Sequence, residues 1–127
     1  MLRASALLAI ATGMALALLE FRANWNDWQW WPWWLVDFVA AGLLLGGAML
    51  TLRRARRGRS VLVAAWAFTL GMAWMSLAGN LAEGVDPARD GRLGGLYIGL
   101  IVLLVSSAFA GMLMAIFGEQ PAAQPKA

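Results

Sequence analysis

An aspartate interrupts an otherwise apolar run: Asp37 stands in the segment Trp33–Leu52, about one helical turn below Trp33 and Trp34. Placing an ionised carboxylate at the bilayer centre costs about 2.5–3.5 kcal/mol on insertion scales, and less near the interface. An acid in such a place either does chemistry or is held by a partner. For Asp37 the candidate partners are Arg22, Arg92 and a tryptophan N–H. Glu20, Ser76, Asn80 and Tyr97 fall at the same depth on other apolar runs, so the five polar side chains could line a small outward-facing pocket. Glu20 and Asp37 could also form an acid–base pair. No nucleophile with an adjacent base accompanies them, and the chain has no histidine and no cysteine. Thiolate metal sites, histidine-ligated haem and a Ser-His-Asp triad are therefore excluded.

The second chemical group is aromatic. Six of the eight tryptophans crowd between Trp25 and Trp34: Trp25, Trp28, Trp30, Trp31, Trp33 and Trp34. Tryptophan favours the membrane interface, where its ring is apolar and its N–H reaches water. Six in ten residues exceed what an anchor requires. The excess suggests a platform for a lipid, a quinone, a pigment or a partner subunit. No cofactor is specified by the sequence.

The third group is basic. Arg53, Arg54, Arg56, Arg57 and Arg59 surround Gly58 between two apolar runs. Such a turn fixes orientation in a membrane, and it could also bind anionic lipid headgroups. The net charge of +3 is explained in this way and not by nucleic acid. Seven methionines could suggest Cu(I), but without histidine or cysteine to support them they read as core filling. Glu83, Asp86 and Asp90 lack the EF-hand calcium pattern.

The elements that position these groups follow from composition. Hydrophobic residues make up 61% and charged residues 13%, against about 45–50% and about 25% in soluble domains. Too few charges exist to give four helices a polar face each. The surplus apolar surface must meet lipid or other membrane subunits. Four runs reach the length of about 20 residues needed to span: about 4–21, 33–52, 61–81 and 93–117. They predict an all-α, integral-membrane four-helix bundle over residues 1–117, with a Trp-rich interfacial segment between the first two helices and a disordered tail over 118–127. Arg3 before the first run also resembles a signal peptide, but the run is read here as a genuine span.

Seven of the ten basic residues lie on the side of the termini and the arginine turn, and six of the seven acids lie on the other. Positive charge stays inside, so both termini are expected in the cytoplasm of an inner (plasma) membrane protein.

Small residues let membrane helices approach closely. Ala6, Ala9, Gly13 and Ala17 form a stripe on the first span. The second carries Asp37, Ala41, Leu44 and Ala48 on one side and Gly42, Gly46 and Met49 on the other. The third carries Ala64, Ala67, Gly71, Met75 and Ala78, and the fourth Gly95, Gly99, Val102, Ser106 and Ala110. These stripes, with Gly13, Gly42, Gly46, Gly71, Gly95 and Gly99 at their centres, are the expected packing faces. Gly13-Met14-Ala15 recurs as Gly71-Met72-Ala73, a faint sign of two repeated hairpins.

Four spans in so short a chain also describe small multidrug exporters and fluoride channels. The mid-span carboxylate of the first and the Gly-Thr-Phe-Ser type run of the second are both missing. The leading expectation is a non-catalytic accessory or assembly subunit packing against a larger membrane complex, or against copies of itself. A ligand site under the tryptophans is the second reading. An ion or solute pathway between subunits is the third.

Overall fold

The computed structural model describes residues 1–23, 25, 31–84 and 94–119. It contains four α-helices: α1 (Leu2–Ala23), α2 (Trp31–Leu52), α3 (Gly58–Glu83) and α4 (Gly94–Phe117). All four are long and apolar enough to cross a membrane, with spans of Leu2–Arg22, Leu35–Leu52, Gly58–Ala82 and Gly95–Phe117. Hydropathy therefore locates each helix. Three begin two or three residues before the expected start, because a helix continues into the interface once its nucleus exists. The Trp28 and Trp30 positions, the acidic loop with Asp86 and Asp90, and most of the tail lie outside the described residues.

Each helix packs against the next, and α4 returns to α1, so the four close into a ring. Across the diagonal, α1 also touches α3. The start of α1, the α2–α3 turn and the end of α4 share one end. A Cβ on Gly118 would meet the Leu2 nitrogen at 2.6 Å, and the Arg59 side chain reaches the last carbonyls of α4.

The α2–α3 turn is built by backbone hydrogen bonds. Arg54 N–H donates to Thr51 C=O at 3.0 Å and Ala55 N–H to Leu50 C=O at 2.9 Å. This pairing is the Schellman motif, which satisfies the orphan carbonyls at a helix end. The position that most often holds glycine holds Arg54, with φ +55°. Gly58 is needed for close approach, since a Cβ there would lie 2.7 Å from the Leu50 carbonyl carbon and the Thr51 nitrogen.

Packing departs from the small-residue expectation on three helices. On α1 the stripe does face inward: Ala6 and Ala9 are buried, and a Cβ on Gly13 would lie 3.1 Å from the Ala41 carbonyl oxygen. On α2 the inward side is Ala41, Leu44 and Ala48. Gly42 and Gly46 face open space, and the contact glycine is Gly47, whose Cβ would fall 2.9 Å from the Leu62 Cα.

On α3 the expected stripe of Ala64, Ala67, Gly71, Met75 and Ala78 is exposed, and the core face is Leu62, Ala65, Trp66, Thr69, Ala73 and Leu77. On α4 the stripe from Gly95 to Ala110 is also exposed; Ile101, Ala108, Gly111 and Ala115 point inward. The reason is Trp66. Its ring is fully buried against Gly111, and no Cβ fits there. One large side chain on α3 seated over a glycine on α4 turns the smaller stripes of both helices outward.

Candidate functional site

At the end away from the termini, α1 and α2 bring two carboxyl groups together. Glu20 comes from the last turn of α1 and Asp37 from the second turn of α2, and the two carboxyl groups lie close enough to interact. Both residues are half-buried. Arg92, one of the expected partners of Asp37, lies outside the described residues. Gly13 against Ala41 sets α1 on α2, and both acids lie outward of that contact, Asp37 by about one helical turn and Glu20 by about two.

The other polar residues of the expected pocket are placed less closely. Asn80 donates from Nδ2 to the Ser76 carbonyl oxygen at 2.8 Å, a bond within its own helix. Tyr97 is exposed on α4. Trp31, Trp33 and Trp34 lie in the first turn of α2. Trp25 is exposed and packs edge-to-face on Phe21, with ring centroids 4.7 Å apart and planes at 72°. Of the five polar residues, Glu20 and Asp37 are the two brought together on neighbouring helices. Among the described residues no group of three or more His, Cys, Asp or Glu could hold a metal ion.

The opposite end holds a polar knot that the stripe argument missed. Trp66 Nε1–H donates to Ser5 Oγ at 3.0 Å, and Ser5 Oγ–H donates to the Gly111 carbonyl oxygen at 2.7 Å. All participants are buried, and three helices are tied at one point. The signal was available: a tryptophan deep in a span needs a partner for its N–H, and Ser5 is a hydroxyl at matching depth on a neighbouring helix. With Leu44 and Leu62, Trp66 fills the bundle interior on this side.

The five turn arginines divide. Arg53, Arg54, Arg56 and Arg57 are exposed. Arg59 is half-buried; its Nε–H donates to the Ala115 carbonyl oxygen at 3.0 Å, and its Nη2 donates to the Ile116 carbonyl oxygen. A cation on the C-terminal carbonyls of a helix also complements the helix dipole.

On the lateral surface, Gly42, Gly46, Gly71, Gly95 and Gly99 have nothing within 4 Å of an added Cβ. Within the bundle these glycines do not mediate packing. An apolar groove of about 420 Å³ runs between α3 and α4, lined by Leu70, Gly71, Trp74, Val105 and Phe109. No family model, curated protein or solved structure matches the chain.

Proposed function

We propose that this chain is a non-catalytic subunit or assembly factor that packs sideways against other transmembrane helices of a larger inner-membrane complex. What supports the reading is the placement of its small residues. Gly42 and Gly46 on α2, Gly71 on α3, and Gly95 and Gly99 on α4 all face outward, while different residues hold the bundle together. Lipid tails do not need small side chains beside them. Another helix does, because glycine lets two backbones come close enough for dispersion contacts that replace the missing hydrophobic drive.

Both termini and the arginine turn are assigned to the cytoplasm in this reading, from the positive charge at that end. The chain's lack of cysteine makes the assignment simple to test. Ser60→Cys and Glu119→Cys place labels at the arginine end, and Trp25→Cys at the other. A membrane-impermeant thiol reagent applied from the outside should modify only the last.

For the subunit reading, tagged chain is extracted in mild detergent. Other membrane proteins should accompany it in fixed ratio. Gly42→Leu/Gly46→Leu and Gly95→Leu/Gly99→Leu should release them while the bundle stays folded, since no intrachain neighbour is crowded. A homogeneous monomer with nothing attached, obtained from native membranes, overturns the proposal.

A further inference from the structure

We propose that the α2–α3 turn binds the phosphate of an anionic phospholipid through the guanidinium groups of Arg53, Arg54, Arg56 and Arg57. All four are exposed within five residues of chain. Arg3 is exposed at the same end, and among the described residues Glu119 is the one acid there. Arg59, the fifth arginine of the turn, is committed to the carbonyls of α4 and is not part of the surface. The other four side chains have no such bond among the described residues, so each guanidinium keeps its donors for something outside the bundle.

Depth selects the anion. The turn joins the span ending at Leu52 to the span starting at Gly58, so it lies at headgroup level. Four like charges on so short a segment repel one another, and lipid phosphates are the anions held at that depth. The residue type sharpens this. Orientation responds to lysine and arginine alike, yet every basic residue in the turn is arginine and the chain's single lysine is Lys126. A planar fork of N–H donors matches two phosphate oxygens at once; an ammonium group meets them as a point charge. The proposal does not depend on the identity of any protein partner.

The test uses full-length protein reconstituted in bilayers of phosphatidylcholine with phosphatidylglycerol, then transferred to detergent for native mass spectrometry. Wild type should retain phosphatidylglycerol in preference to phosphatidylcholine. Replacing the four arginines by glutamine should lower retention at least tenfold, given roughly a fivefold effect for each arginine near an anionic surface. The Arg→Lys version keeps the charge and should still fall well below wild type. Unchanged helix content by circular dichroism keeps the comparison fair, because these side chains lie outside the core. Equal retention of the two lipids by wild type, or equal retention by the lysine version, overturns the proposal. So does release of the lipid by excess inorganic phosphate, which would make a soluble anion the occupant.

Discussion

At the arginine end, three helices meet in the Ser5–Trp66–Gly111 knot, Arg59 closes the end of α4, and Gly118 packs on the start of α1. At the carboxyl end, Glu20 of α1 lies beside Asp37 of α2, and Asn80 bonds within its own helix. Burial follows the same division. The fully buried large side chains Trp66, Leu44, Leu62 and Thr69 all lie in the arginine half or at its border. In the outer half, Leu77 is 9% exposed, while Trp74, Met75, Leu81, Leu96 and Tyr97 are far more open. Among the described residues, the largest buried side chains therefore gather toward the arginine end.

Removing the buried ring breaks this contrast most directly. Trp66→Ala leaves a cavity over Gly111 and deprives Ser5 of its donor; the loss should be about 3–5 kcal/mol. Reversible unfolding in mixed micelles measures it. A loss below about 1 kcal/mol would show that the knot does not anchor the arginine end.

A smaller effect separates inward from outward glycine. Gly47→Val forces a methyl-bearing carbon against the backbone of Leu62 and should destabilise the isolated bundle by about 1–3 kcal/mol. Gly46→Val, one residue away, should stay within about 0.5 kcal/mol in the same assay. Equal costs at the two positions would reverse the assignment of faces.

The smallest change belongs to the carboxyl end. Asp37→Asn keeps the size and shape of the side chain beside Glu20 and should shift stability by about 0.6 kcal/mol or less, the average for an interhelical hydrogen bond in a membrane bundle. A shift as large as that of Gly47→Val would make the two ends equivalent.

These particulars show what the sequence could convey. The four spans were legible because a run of about 20 apolar residues has few other uses. Which face of each span turns inward was legible on α1, where Ala6, Ala9 and Gly13 form the one continuous small stripe. It was not legible on α3 and α4. A soluble helix marks its buried side by contrast with a charged one, and that contrast vanishes when the solvent is lipid. The proximity of Glu20 and Asp37 was expected from depth alone. The diversion of Arg59 to α4 depends on helix rotation, which composition does not encode.

The left-handed backbone of Arg54 has a consequence at the level of the gene. A non-glycine residue in that conformation costs about 1–2 kcal/mol. Every arginine codon lies a single base from a glycine codon, so the sequence stands one substitution away from a more relaxed turn. What the arginine offers in return is its charge, and a drift toward glycine at this position would trade that charge for a less strained turn.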